Sequence, residues 1–561
     1  MRPRLTLRRL LQRPVRRWAG SSRRFTQNSP SFSRGRPQLP FLGIPLSTRQ
    51  QFRYLTTERK QWIRYEVLLS LKYTVYIWAM VSCVTIAAFA VQQEWQEREH
   101  PTPPEWSYIT RMRMRGAFFE LNRKDVSRTD YVQVLQMLLD VLERLENPKI
   151  DGADIAESGV GGIVGEEAVR AFPGAKDLSK KSEQWRRGYF ETLLAAAQAA
   201  EHVEGWVKDR TRGIVFPPEV VIGPSNPRPK PIPPGAKSAP REEDCDPMFP
   251  SPAQLYNKLM CTDGLTRRQH LETVLSFASW AAYREMPLAS SLYQSALYIA
   301  LPEEEASKIN VEKWVQSLSR SGLTTSPSSN ILEALTGYAT YTARKGDVSD
   351  ALPLFITLLK ARQSLPDTSP KVLADRALEA GENENLAQKT LHAVKAFVKP
   401  PVYPPPPSDG TELPVRDEKE RCQEAALHLH IGEIMYTARD SAREEGVAWT
   451  REGVDIAEEQ LHKLGSATKN ITAKTTCREC LATGLENWQT MVARLAKEEQ
   501  EKKGSAQKSG WFGLWRDGKN EAAEGRWAAE EKVAKDRLRR AQDLLEDPEA
   551  PVRGASSILH A

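Results

Sequence analysis

Apolar residues recur at intervals of three and four along most of the chain beyond residue 130. The stretch YVQVLQMLLDVLERL at 131–145 follows this period closely. A repeat near 3.6 residues puts apolar side chains on one face of a helix, whereas strands alternate every two residues. The same period recurs at 184–207, 270–284, 292–301, 331–345, 351–362, 422–443 and 450–464. The pattern predicts an all-α fold of paired helices, with no convincing β-strand.

A longer apolar run precedes these segments. From Tyr73 to Gln93 (YTVYIWAMVSCVTIAAFAVQQ) there are 21 residues without a formal charge, roughly 31 Å of helix. That length matches the hydrocarbon core of a bilayer. Trp78 and Trp95 lie toward the two ends, where aromatic rings prefer the headgroup boundary. The run predicts one transmembrane helix at 73–93, and a buried helix of a soluble domain is the alternative.

The segment before this run has the composition of a targeting leader. Residues 1–57 contain thirteen arginines and no lysine, aspartate or glutamate. Arginines spread over such a length are typical of a mitochondrial presequence rather than a secretory signal. Arg53-Tyr54-Leu55-Thr56 resembles a processing site, so the mature protein is predicted to begin near Thr56. A basic arm that binds nucleic acid is the alternative, and the apolar run that follows argues against it.

The flanks of the apolar run predict its orientation. Basic residues precede it, and acidic residues surround one arginine after it: Arg59, Lys60, Arg64 and Lys72, then Glu94, Glu97, Arg98 and Glu99. Positive flanks stay on the side from which the helix inserts. We therefore expect a single-pass inner-membrane protein with its amino terminus in the matrix and its carboxyl-terminal domain in the intermembrane space.

Charge and cysteine content narrow the class of protein. The chain carries 79 Lys and Arg against 72 Asp and Glu, and without the thirteen leader arginines 66 remain, six fewer than the acids. A mildly acidic mature chain gives no case for nucleic-acid binding. Six cysteines, one within the apolar run, do not make a disulfide-dense scaffold.

Proline-rich stretches divide the helical part. We predict a presequence (1–55), a matrix-side segment (56–72), the transmembrane helix (73–93), a helical region (94–215), a proline-rich linker (216–250), repeats (251–399), a proline-rich loop (400–414), further repeats (415–503) and a charged tail (504–561). Dense proline favours extended backbone over helix. These stretches are predicted to be solvent-exposed insertions or linkers, and a ligand for a proline-reading domain is the less favoured alternative.

The paired helices fit a degenerate tetratricopeptide pattern, a unit of roughly 34 residues. The best unit places small residues and one aromatic residue at the expected spacing: Leu335, Ala339, Gly346, Ala351 and Phe355. A second unit has Ala289, Tyr293 and Ala296, and a third has Ile431-Gly432 with Val454 and Ala457, after about six extra residues between its helices. A generic helical bundle is the alternative.

An anchored array of degenerate repeats behind an arginine-rich leader resembles the fungal mitochondrial inner-membrane tetratricopeptide proteins, in particular the adaptor subunit of the i-AAA protease. The resemblance covers the layout of most of the chain. It implies an α-solenoid that delivers unfolded substrates to a membrane-bound AAA protease.

Catalytic signatures are missing from the sequence. It contains no HExxH, no GxxxxGK[ST] and no GxSxG motif. The glycines at 159–165 lack the GxGxxG spacing and follow no predicted strand, so they are predicted to form a loop. We expect no enzymatic activity, no cofactor and no metal site. The sequon at Asn470 would not meet the glycosylation machinery in a mitochondrion.

Two short motifs carry possible chemistry. Cys477 and Cys480 form a CxxC, which supplies only half the ligands of a structural zinc. They are interpreted as two cysteines on one helical face, with a redox pair as the alternative. His428 and His430 are interpreted as helix-surface residues, because positions two apart point to different sides.

The remaining functional signal is a binding surface. In stacked helix pairs, the first helices line a groove that holds a peptide. The candidate groove residues are Thr336, Thr340 and Arg344 in one unit and Leu429, Glu433 and Tyr436 in another. The tail residues Trp511, Phe512 and Trp515 are predicted to dock, preferably as a cap on the last repeat, with a partner or the membrane surface as alternatives.

The sequence therefore predicts an anchored binding protein, interpreted as an adaptor that delivers unfolded substrates to the i-AAA protease. An assembly factor for a respiratory-chain complex is an alternative with the same anchor and groove. A thiol redox or import component that uses Cys477 and Cys480 is an alternative of another class.

Overall fold

The computed structural model describes residues 57–122, 129–159, 174–232, 237–302, 310–323, 327–367, 403–438, 440–465, 471–509 and 525–545. Within these ranges the chain is mostly helical, as predicted, with fourteen α-helices. They are α1 Thr57–Glu99, α2 Tyr108–Leu121, α3 Tyr131–Glu146, α4 Glu183–His202, α5 Pro252–Met260, α6 Arg267–Ala281, α7 Met286–Ala300, α8 Val311–Ser321, α9 Ser329–Lys345, α10 Val348–Gln363, α11 Glu418–Ala438, α12 Arg443–Leu464, α13 Ile471–Ser509 and α14 Arg526–Leu545.

Among the described residues, α1 is the one helix long and apolar enough to cross a membrane. The chain divides into two units, the first ending at Thr85 and the second beginning at Ile86. From Tyr73 to Gln92 every side chain of α1 is exposed. Trp78, for example, is 67% exposed. A helix that buried this run inside a soluble domain would cover such side chains. The predicted leader, residues 1–55, lies outside the described residues.

Five short strands contradict the prediction that the chain has no β-structure. β1 (Ala156–Glu157) pairs with β2 (Lys176–Asp177), and β3 (Val207–Asp209) pairs with both β4 (Val215–Phe216) and β5 (Cys245–Pro247), all antiparallel. Strands of two or three residues are too short to show an alternating pattern. They lie in the loops between α3 and α5, including part of the predicted proline-rich linker.

The linker at 216–250 is folded upon itself where it is described. The amide of Ile222 donates to the carbonyl of Pro240 at 3.0 Å. The Asn226 side chain donates to the carbonyls of Glu219 and Val221 at 2.8 and 3.0 Å. These bonds satisfy backbone groups that prolines leave without helical partners. The segment is therefore an ordered loop rather than an open linker.

In the second unit, helices pack against their near neighbours in the chain. α9 and α10 form an antiparallel pair joined at Gly346, which has a φ of 97°. Glycine adopts this left-handed conformation without the steric cost of a Cβ. Ala339, Ala351 and Phe355 are each fully buried where the two helices meet neighbouring helices. α6 pairs with α7, and α11 pairs with α12, in the same way.

The last two helices form a further pair. α14 packs against α13 and buries Ala534 and Ala541. Arg537 of α14 also forms an ion pair with Asp455 of α12 at 2.5 Å. The helical part of the tail therefore docks on the preceding helices. Trp511, Phe512 and Trp515 lie outside the described residues.

Candidate functional site

Three helices, α4, α6 and α9, lie side by side, because α6 contacts both of the others. Each begins at a residue whose hydroxyl accepts a backbone hydrogen bond from the first turn: Ser182, Thr266 and Ser328. Such caps fix where a helix starts and satisfy its first amides. The amino-terminal parts of these helices carry Arg187, Arg268 and Asn330. We call this surface the ledge.

An extended segment of the chain crosses the ledge. Residues 403–416, here called the strap, include most of the predicted proline-rich loop at 400–414. At the first contact, the Arg187 guanidinium lies 5.2 Å from the centre of the Tyr403 ring. Its Nη1 donates to the carbonyl oxygens of Pro404 and Pro405 at 3.3 and 3.1 Å. Burial raises the pKa of Tyr403, so its hydroxyl stays neutral.

The second contact joins the strap to α6 and α9. The buried side chain of Asn330 donates from Nδ2 to the carbonyl of Asp409 at 2.9 Å. The backbone amide of Asn330 donates to the carbonyl of Gly410 at 3.1 Å. Arg268 donates to the Oδ1 of Asn330 at 2.9 Å, and its own amide donates to the Asp409 carboxylate at 3.3 Å. A chain turn is therefore held by both backbone and side-chain donors.

Gly410 fits this contact because it has no side chain. Its φ is 71°, and a Cβ at this position would lie 2.2 Å from Oδ1 of Asn330. A methyl group at that distance requires the strap or Asn330 to move. Beyond Gly410, the Arg416 amide donates to the carbonyl of Pro366 at 2.9 Å, and the Arg416 guanidinium binds both carboxylate oxygens of Glu424. The strap is thus fastened at three places.

The predicted loop therefore differs from an open insertion. Side chains from Pro405 to Asp409 are exposed, but the main chain is held at both ends of that stretch. The sequence signal was the Asp-Gly dipeptide after the prolines, a common turn pair. Its partners on α6 and α9 are 79 or more residues away in the chain, and no local pattern identifies them.

The candidate groove residues on α9 are only partly placed for binding. Thr340 is 5% exposed and its hydroxyl donates to the carbonyl of Thr336 at 2.9 Å. The Thr336 hydroxyl donates to the carbonyl of Leu332 at 2.6 Å. Both hydroxyls thus bond their own helix, which is common for threonine in helices. Arg344 is exposed, with its guanidinium 5.0 Å from the ring centre of Tyr283. Thr340 is a correction to the predicted groove.

Two of the three groove residues on α11 are in the core. Leu429 and Tyr436 are 4% and 6% exposed. The Tyr436 hydroxyl donates to the carbonyl of Met491 on α13 at 3.1 Å. Glu433, between them, is exposed. The prediction was wrong for Leu429 and Tyr436, because α11 packs against α10, α12 and α13 and has little free surface.

The cysteines form a different arrangement from either sequence interpretation. Cys477 of α13 is disulfide-bonded to Cys422 of α11, and both are completely buried. Cys480 is a free thiol beside them, with its Sγ 3.6 Å from the carbonyl of Cys422. Burial raises the pKa of Cys480 to about 12. A buried neutral thiol is a poor nucleophile, so the CxxC does not act as an internal redox pair in this arrangement.

The two histidines are packed rather than on the helix surface. His428 is 6% exposed and lies against Trp449, with ring centres 5.0 Å apart. His430 stacks on Phe355. Burial lowers the pKa of His430 to about 4. Among the described residues, no group of three or more metal-ligating side chains comes together.

No protein-family model, curated protein or solved structure matches the chain.

Proposed function

We propose that this protein is a membrane-anchored adaptor of the mitochondrial intermembrane space, which binds unfolded protein segments and presents them to a membrane-bound AAA protease. The observation that carries the proposal is how the ledge holds the strap. Four of the hydrogen-bond acceptors on the strap are main-chain carbonyls, those of Pro404, Pro405, Asp409 and Gly410. Every unfolded polypeptide offers such carbonyls, whatever its sequence.

The paired helices support a repeat scaffold for this surface. Of the residues that match the tetratricopeptide spacing, those within α9 and α10 are buried and Gly346 lies exposed in the turn between the two helices; the buried residues are Leu335, Ala339, Ala351 and Phe355. At the crossing of α11 and α12, a Cβ on Gly432 would lie 2.4 Å from Oγ1 of Thr450. Close crossings at small residues are what such repeats need. In this reading, α4, α6 and α9 are first helices of successive units.

The disulfide supports the compartment. Buried disulfides persist in oxidising compartments and are rare where thiols are kept reduced. The intermembrane space side follows from the basic flank before the apolar run of α1 and the acidic flank after it. An anchor also raises the concentration of a bound segment beside any membrane-bound partner.

The test is affinity purification of the tagged full-length protein from mitochondria solubilised in mild detergent. We expect an AAA protease and unfolded clients among the co-purifying proteins. Arg187→Ala should reduce client recovery and leave protease recovery unchanged, because Arg187 holds the extended segment. Arg113→Ala is the matched control, since Arg113 is a surface arginine paired with Asp140 at 2.9 Å, on helices that do not carry the ledge.

Two results would contradict the proposal. Respiratory-complex subunits as the dominant partners would favour the assembly factor. Equal client recovery from Arg187→Ala and Arg113→Ala would show that the ledge does not bind clients.

A further inference from the structure

The strap buries little side-chain surface, although several hydrogen bonds hold its main chain. Tyr403 is half-buried and Gly410 is buried, but residues 405–409 between them are exposed. Contacts therefore concentrate at three points: the Tyr403 ring on Arg187, the Asp409-Gly410 turn on Arg268 and Asn330, and Arg416 on Pro366 and Glu424. Few buried apolar side chains hold the strap in place, so local release costs far less than unfolding the helices.

The prolines make the strap suitable as an internal occupant. Residues 404–407 are four consecutive prolines. Such a run is extended before it binds, so docking loses little conformational entropy. Prolines also lack the amide hydrogen that a competing strand would need. A client chain without prolines loses more conformational entropy on binding. To displace the strap, a client must therefore bind the ledge with a free energy that exceeds that of the strap.

We propose that the strap is a displaceable internal occupant of the ledge, and that an extended client segment with an aromatic residue six positions before an acidic residue takes its place. This inference rests on the proposed binding of unfolded segments. The spacing is that of Tyr403 and Asp409. The aromatic ring would take the place over Arg187, where cation–π attraction holds it. The carboxylate would take the amide of Arg268, at the positive end of α6.

The probe is a fluorescent peptide with the sequence of residues 403–411 (YPPPPSDGT), titrated into the full-length protein in detergent and followed by anisotropy. Gly410→Ala releases the internal strap, because the added Cβ meets Asn330. The apparent affinity of a site scales with the fraction that is unoccupied. We expect the peptide to bind Gly410→Ala about tenfold more tightly than the wild type. Adding Arg187→Ala to Gly410→Ala should abolish that gain.

Gly213→Ala is the matched control. Gly213 has a φ of 67°, close to that of Gly410, but nothing lies within 4 Å of a Cβ built there. It carries the same backbone strain without touching the ledge, and peptide affinity should equal that of the wild type. Tyr403→Ala is a second release variant, which removes the ring contact with Arg187 at a half-buried site. It should also increase affinity. A peptide with Ala for Tyr and Asn for Asp should bind none of the variants tightly.

Equal affinity for the wild type, Gly410→Ala and Tyr403→Ala, with all three folded by circular dichroism, would overturn the inference. A release variant that forms dimers and fails to bind the peptide would also overturn it, because the strap of a second copy would then occupy the ledge. The proposed function fails separately. Tight peptide binding without a co-purifying protease would support the displaceable strap and contradict the adaptor function. A co-purifying protease without any gain in peptide affinity would support the adaptor function and contradict the displaceable strap.

Discussion

Phe355 of α10 stacks on His430 of α11, with ring centres 5.3 Å apart and planes inclined by 21°. Phe355 is fully buried and connects the α9–α10 pair to the α11–α12 pair. Between those pairs in the sequence lies the strap. The contact therefore joins two helix pairs across the segment that crosses the ledge.

Phe355→Ala should destabilise the protein by about 3–5 kcal/mol, the usual cost of removing a buried Phe side chain. Arg344→Ala, on the exposed surface of α9, should change stability by less than about 1 kcal/mol, since a surface cation–π contact contributes little. Thermal or denaturant unfolding of the two variants measures the difference. A silent Phe355→Ala, or an unfolded Arg344→Ala, would contradict the placement of this helix pair.

The disulfide should make a large contribution to stability. Cys422 and Cys477 are 55 residues apart in the sequence, and closing a loop of that size in the unfolded chain corresponds to about 4 kcal/mol. Cys422→Ser and Cys477→Ser should each lose that amount, and reductant should remove the difference between them and the wild type. Cys480→Ala is the control and should keep the sensitivity to reductant.

Alkylation under denaturing conditions tests the same pairing chemically. The unreduced protein should accept label at Cys83, Cys245, Cys261 and Cys480 and gain two further labels after reduction. Six labels without reduction would show that the bond does not form in the cell.

Stability should depend on pH through Glu201. Burial is the largest cause that raises the pKa of Glu201 to about 7, although Tyr256 donates a hydrogen bond to the carboxylate. Because this pKa lies above the unfolded value of 4.5, the stabilisation is complete below pH 4.5 and is lost as pH rises through about 7.

Glu201→Gln removes this titration and keeps a side chain that hydrogen-bonds Tyr256. Between pH 5 and pH 8 the variant should gain about 1–2 kcal/mol relative to the wild type, after a discount for partial exposure. The variant is compared with the wild type at each pH because His270 and His430, with pKa values lowered to about 4, give both proteins the opposite pH dependence. Their contribution cancels in the difference between the two proteins. A constant difference across this range would show that Glu201 is ionised throughout.

The proposed orientation predicts where a tag at Ala561 is accessible. Protease added to mitoplasts with a ruptured outer membrane should degrade the tag, while a matrix marker stays intact. Protection of the tag until detergent dissolves the inner membrane would place the large unit on the other side.

Several helices could be predicted because their apolar residues repeat on one face. The stretch 131–145 corresponds almost residue for residue to α3, Tyr131–Glu146. The single helix predicted at 422–443 corresponds to most of α11, followed by a 3₁₀ turn at Asp440–Ala442 and the first residue of α12. Helical periodicity continues through such a turn because both pitches favour similar spacings.

The binding surface could not be predicted in the same way. Leu429, Glu433 and Tyr436 share a helical face by spacing, but spacing does not tell how many helices pack around α11. The partner of Cys477 was equally hidden, since it depends on α11 and α13 becoming neighbours. The strap could not be predicted either, because Arg187, Arg268 and Asn330 come onto one surface only in the folded chain.

The bond between Cys422 and Cys477 closes a covalent ring that contains the whole of α12. A motor that pulls the chain from its carboxyl end would transmit force from α13 through the sulfur atoms directly to α11, and α12 would carry none of it. Translocation of the chain as a single extended strand would stop at this ring until the bond was reduced. In the proposed function as an adaptor, this ring would protect the chain from the unfolding that its clients undergo.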